Sequence, residues 1–125
     1  MIITLRDGST EVDIDKLIEV MNKKNKKPID IPLSSFGVMP VTGIFPDGKG
    51  GFIRPIDIIN DKKKYKQHYE RIKKANLQYP ILLFGSKNDF EILDGHHRII
   101  KAILDDEPTI KGVFVSKSDL QKAVV

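Results

Sequence analysis

Residues 94 to 98 read Asp-Gly-His-His-Arg, and no other five residues of the chain bring together as much chemistry. Arg98 presents a planar fork of donors that suits a phosphate or a carboxylate. His96 and His97 titrate near neutrality, so either can act as a general acid or base or hydrogen-bond a substrate. Adjacent histidines point in different directions, and chelation of one metal by both is not expected. Asp94 can hold Mg²⁺ through an oxygen, directly or through water. It reads equally well as a helix cap or a turn residue. Gly95 has no side chain, so a ligand can approach its backbone. The candidate catalytic residues are therefore Asp94, His96 and His97. Gly95, His96, His97 and Arg98 are the candidate phosphate ligands.

Two elements must position these residues. Phe90, Ile92 and Leu93 are strand-like, and Asp94-Gly95 breaks the run. From His96 onward Ile99, Ile100, Ile103 and Leu104 fall at helical spacing. A strand therefore passes through Asp-Gly directly into a helix. The first amides of that helix have no intrahelical partner and favour anions. The plainer alternative is an ordinary turn with an aspartate cap, and an Arg98 paired on the surface with Glu91 or Asp94.

The string LDGHHRIIKA resembles the signature of the ParB/sulfiredoxin-like superfamily, a G-x-x-R motif with a following Ala at the start of a helix. Upstream, Tyr69–Leu83 resembles that family's helix, short turn, Pro-Ile and strand. Downstream, Ile110–Val115 resembles the strand that ends its core. The likeness spans residues 29 to 115. It implies an α+β fold, a single domain with a small mixed β-sheet packed with helices. Residues 29–125 would form the core, and 1–28 an added strand and amphipathic helix. It also implies a nucleoside triphosphate or diphosphate with Mg²⁺, the phosphates lying at the helix start 94–98. Members of the family include chromosome-partition CTPases, sulfiredoxins and a group of small-molecule kinases that share the Asp-Gly-His-His-Arg string.

The function implied is nucleotide binding, with or without NTP hydrolysis or phosphotransfer; a ParB-like nuclease is a further enzymatic version. Sulfiredoxin activity is excluded, because it needs a cysteine in the shared motif and the chain has none. Asn76 stands where the family usually has Gly, and a left-handed helix end there would suit it. Tyr79 stands where partition proteins tend to have Gln. Those proteins add a helix-turn-helix domain after the core; these 125 residues hold none, so a sliding DNA clamp is not expected.

Composition sets wider bounds. With 40% hydrophobic residues, 125 residues suffice for one packed core. The net charge of +4 reflects 21 basic against 17 acidic residues. Without cysteine, disulfides, thiolate zinc sites and thiol nucleophiles are ruled out. No apolar run approaches the roughly 20 residues of a membrane-spanning helix, and Met1 leads straight into a strand-like segment. A soluble, intracellular, cytoplasmic protein with no membrane partner is expected.

The remaining expectations follow chain order. Ile2–Leu5 is β-prone and residues 6–9 form a turn. Asp13 caps a helix carrying Ile14, Leu17, Ile18 and Met21 on one face, and Pro28 stops it. Ile29–Leu33 is an edge strand, because Pro32 cannot donate to a ladder. Ser34 and Ser35 follow it as further candidate phosphate ligands. Phe36–Pro55 is Gly- and Pro-rich and suits either a hairpin or a long binding loop; Arg54 and Asp57 could be carried by it to the site. Asn60 or Asp61 caps a helix over residues 62–75, with Tyr65, His68 or Tyr69, and Ile72 on one face. Lys62, Lys63, Lys64 and Lys66 lie on the other, and they support an alternative function as a non-enzymatic DNA- or partner-binding module. His68 belongs to the apolar face and not to a ligand set. Ile81–Phe84 is a strand buried on both faces. Gly85–Asp89 is a hairpin loop, Ile110–Val115 a further strand, and Ser116 caps a last helix over 117–123.

Overall fold

A computed structural model describes residues 1–37 and 39–125; Val38, within the Gly- and Pro-rich run, lies outside the described residues. The chain is a mixed α+β protein. It divides into two compact units, the first made of residues 1–30, 80–95 and 111–125, the second of 31–79 and 96–110. Residues 1–30 thus share a unit with parts of the segment expected to form the core.

The first unit begins with strand β1, Ile2–Thr4, which turns back to pair antiparallel with β2, Glu11–Asp13. In that turn the Asp7 carboxylate accepts from the Ser9 and Thr10 amides, both at 2.9 Å. Nothing local marks β2 as a strand: it is three residues long, and its pairing comes from outside itself. Val12 bridges to Val124 on its other side. Helix α1, Ile14–Lys24, starts at the Asp13 cap, whose side chain accepts from the Lys16 amide. It ends at Asn25 in the left-handed region (φ 49°), three residues before Pro28. Ile14, Leu17 and Met21 are its buried stripe. They pack with Val12, Leu82, Leu93, Val113, Val115, Leu120 and Ala123 into one apolar cluster.

The largest sheet has the order β3 (Ile29–Pro32), β8 (Thr109–Phe114), β6 (Ile81–Ser86), β7 (Asp89–Asp94). β3 is an edge strand, as Pro32 requires. β6 lies between a parallel and an antiparallel neighbour, so the sheet is mixed. Ile81, Leu82 and Leu83 are all buried, which accounts for the unbroken apolar run. The β6–β7 turn is tighter than a five-residue loop: Ser86 pairs with Asp89, leaving Lys87-Asn88 between them. Register shifts between Leu82↔Asp94 and Leu83↔Ile92, so Leu93 is an extra residue on β7. Such a bulge bends the strand and re-aims the residue beside it; here that residue is Asp94. Helix α5, Lys117–Gln121, is capped by Ser116, which accepts from the Asp119 amide.

The second unit holds a short hairpin, β4 (Phe45–Pro46) and β5 (Phe52–Ile53), closed by Asp47, which accepts from the Lys49 and Gly51 amides. Of the two expectations for residues 36–55, the hairpin is the one realised. Helix α2, Pro55–Asn60, begins at the last residue of that run and is not among the expected elements; proline at its first position presets the helical φ. Helix α3 is Lys66–Lys74, shorter than the 62–75 expected. Residues 62–65 form a turn in which Asp61 accepts from the Lys64 amide. The helix ends at Ala75, in extended backbone, and Asn76 is not left-handed. The Asn76 side chain instead accepts from the Gln78 amide, and its carbonyl from the Tyr79 amide. This local turn stops the helix without a left-handed residue.

Helix α4 is His96–Leu104. It ends in the hydrogen-bond pair of a Schellman motif: Asp106 donates to the Ile103 carbonyl, Glu107 to that of Ala102, and Asp106 is left-handed at φ 52°. Lys101, on α4, sends its ammonium to the carbonyls of Lys73 and Ala75 and so caps α3. No helix among the described residues is long and apolar enough to cross a membrane.

Candidate functional site

Gly95 lies between β7 and α4, buried, at φ +115°. A Cβ built there would touch Ile81 Cγ2 and come within 2.9 Å of Ile81 Cβ. Glycine is therefore demanded twice, by the backbone angle and by the isoleucine that fills its missing side chain's place. The open approach expected for a ligand on that face of Gly95 is taken by Ile81.

His96, His97 and Arg98 occupy the first turn of α4, each half-buried. Arg98 Nη1 donates to the Tyr79 carbonyl at 3.0 Å. That bond helps to orient the guanidinium. Tyr79 contributes its backbone here, while its residue is 67% exposed. Glu91, one of the surface partners expected for Arg98, is met instead by Arg6: the Arg6 amide donates to Glu91 Oε1 at 3.1 Å.

His97 does not project from α4 alone. Its ring stacks on Phe45, centroids 4.8 Å apart and planes 20° from parallel. Phe45 is buried and also carries His68 at 4.5 Å, while His96 meets it edge-on at 6.3 Å. His68 Nδ1 lies 3.3 Å from His97 Nε2. The sequence places His68 on the apolar face of its helix, and it does pack on Phe45. That packing also delivers it to a functional candidate 29 residues away. Burial first, and then the charge of Arg71, hold the His68 pKa below its ordinary value. Its position on the same helical face as Ile72 is the available signal; nothing local names His97 as its neighbour.

Other candidates fall elsewhere. Ser34 and Ser35 sit in a 3-10 turn, Leu33–Phe36. Ser34 lines an open hollow of ≈ 300 Å³ with Phe36, Pro40, Ile103, Asp106 and Glu107. Those last three residues mark the C-terminal end of α4, about 12 Å of helix from Arg98. Two carboxylates and the negative end of a helix make that end a poor place for phosphate. Arg54 and Asp57 are joined to each other: Nη2 to Oδ1 is 2.7 Å and Nε to Oδ2 is 3.1 Å. Asp57 also accepts from the Arg54 amide and so caps α2. Lys62, Lys63, Lys64 and Lys66 are exposed. Lys62 and Lys73 lie over the Tyr69 ring at 5.1 and 5.6 Å, and Lys64 over Tyr65 at 5.3 Å.

Asp94 is half-buried at the end of β7. Among the described residues no group of three or more His, Cys, Asp or Glu gathers to hold a metal. A lone carboxylate suits a Mg²⁺ that arrives with phosphates and keeps most of its waters. What these elements define is a mixed α+β protein whose strand-to-helix corner carries two histidines and an arginine. No protein-family model, curated protein or solved structure matches the chain.

Proposed function

We propose that this protein binds a nucleotide in the manner of the ParB/sulfiredoxin-like superfamily, with the phosphates at the start of α4. The supporting observation is Arg98, on the first turn of a nine-residue helix and oriented by the Tyr79 carbonyl. A guanidinium held in plane forks onto phosphate oxygens, and the first amides of the helix add their partial positive charge. His96 and His97 flank the site as donors or proton carriers. Asp94 is the proposed Mg²⁺ ligand when NTP hydrolysis or phosphotransfer takes place. Calorimetric titration with nucleoside tri- and diphosphates, with and without Mg²⁺, tests the proposal. Arg98→Ala should cost on the order of 2–3 kcal/mol of affinity, as loss of a charge-assisted bond does. Unchanged affinity in that variant refutes the assignment. Asp94→Asn should abolish Mg²⁺-dependent turnover while leaving Mg²⁺-free binding within a few-fold.

A second reading, binding of DNA or another acidic partner, draws on the exposed Lys62, Lys63, Lys64, Lys66, Arg71, Lys73 and Lys74. Phosphate neutralisation by such a surface makes affinity fall steeply with salt. Under this reading, replacing Lys62, Lys63, Lys64 and Lys66 by Gln weakens DNA binding and its salt dependence, and Arg98→Ala does not.

A further inference from the structure

The geometry of His68 and His97 specifies how their rings face. Their centroids are 5.6 Å apart, and the nearest nitrogens 3.3 Å. The difference, 5.6 − 3.3 = 2.3 Å, equals two imidazole radii of about 1.15 Å each, the greatest separation that the two ring sizes allow for this contact. His68 Nδ1 and His97 Nε2 therefore lie on the line between the ring centres and point at each other. Two lone pairs that converged on a shared metal would bring the centroids closer. Head-on nitrogens require one proton between them: two lone pairs repel, and two N–H groups collide.

We infer that His68 and His97 form a one-proton dyad, in which His68 positions His97 and relays protons to it. In the neutral dyad one proton lies between the facing nitrogens and one on an outer nitrogen, either His68 Nε2 or His97 Nδ1. A proton arriving at His68 Nε2 shifts the inner proton from His68 Nδ1 to His97 Nε2, and the proton on His97 Nδ1 can then leave. The atoms balance with no other reactant. The dyad accepts one added proton, on the outer nitrogen that holds a lone pair, and reaches a charge of +1. A second added proton would place hydrogens on both facing nitrogens and force the rings apart.

The surroundings favour this restriction. Phe45 packs on both rings, and Arg71 opposes further charge on His68. His96 reaches Phe45 only edge-on. Lys101, one turn beyond His97, directs its ammonium to the end of α3. The consequence at the start of α4 is a histidine whose protonation is coupled to that of His68.

The dyad is independent of nucleotide binding, and its test needs no anion. Long-range ¹⁵N–¹H NMR of the labelled wild-type protein, titrated from pH 8.5 downward, reads the protonation of each ring nitrogen. The expected result is one proton taken up jointly by both rings, with the second withheld to markedly lower pH. In His68→Phe, which keeps a ring against Phe45, His97 should titrate alone, in a single step of its own. Independent titration of the two rings in the wild type would overturn the inference. So would an unaltered His97 profile in His68→Phe, or stoichiometric Zn²⁺ uptake that needs both rings. The wild-type titration decides the matter even if the variant fails to fold.

Discussion

At the scale of single residues, Gly95, between β7 and α4, is a packing solution. Gly95 sits at a backbone angle that L side chains rarely adopt, with Ile81 against the place of its absent Cβ. Gly95→Ala combines backbone strain with overpacking and should destabilise the protein by on the order of 2–4 kcal/mol. A thermal or urea melt within about 0.5 kcal/mol of wild type would show that glycine is not required. Arg98 differs in kind. Its bond to the Tyr79 carbonyl is made to backbone, so replacing the Tyr79 side chain should leave the guanidinium where it is. On the proposed nucleotide reading, Arg98→Lys should lose most of the affinity that Arg98→Ala loses, since an ammonium presents no planar fork.

At the scale of elements, the helix ends hold strain that can be removed. Asp106 closes α4 in the left-handed region, where glycine carries no Cβ penalty. Asp106→Gly should therefore stabilise the protein by about 0.5–1 kcal/mol, seen as a higher denaturant midpoint at unchanged slope. The opposite sign is expected at the start of α5. Ser116 accepts from the Asp119 amide there, and Ser116→Ala should cost about 1 kcal/mol. Helix α3 has no side-chain cap at its start, yet its end is held by Lys101 from α4. Its stability therefore depends on its neighbour more than on its own lysine-rich sequence.

At the scale of the whole molecule, stability should fall in two stages as pH drops. His68 resists protonation in the folded state, because burial and then Arg71 lower its pKa. The unfolded chain accepts that proton near pH 6.5. The contribution of neutral His68 is thus complete above about pH 6.5 and is lost as pH falls through its lower folded value. The second stage belongs to carboxylates. Asp7 is lowered to about 2, first by the Thr10 hydroxyl and then by backbone amides. Asp47 is lowered by the Lys49 and Gly51 amides, Asp57 by Arg54, and Asp119 by Lys24 and then Ser116. Their contribution is present above about pH 4 and is lost as pH falls through each lowered folded value, about 2 for Asp7. A melting temperature flat from pH 7 to pH 3 would contradict both stages.

Interactions spanning only a few residues were legible in the chain itself. The Asp13 and Ser116 caps, the apolar stripe of α1, the edge position of β3 and the Asp-Gly break before α4 each follow from neighbours within about one helical turn. Tertiary structure alone decided what distant segments do to one another. It paired β2 with β1 and Val124, set Ile81 against Gly95, and put Ser34 at the opposite end of α4 from Arg98. It also brought His68 nitrogen-to-nitrogen with His97. The physical reason is range. Backbone hydrogen bonding and side-chain period act over three or four residues and leave their mark in local sequence. Which apolar faces meet is settled by the packing of the folded chain, and no residue carries the name of its distant partner.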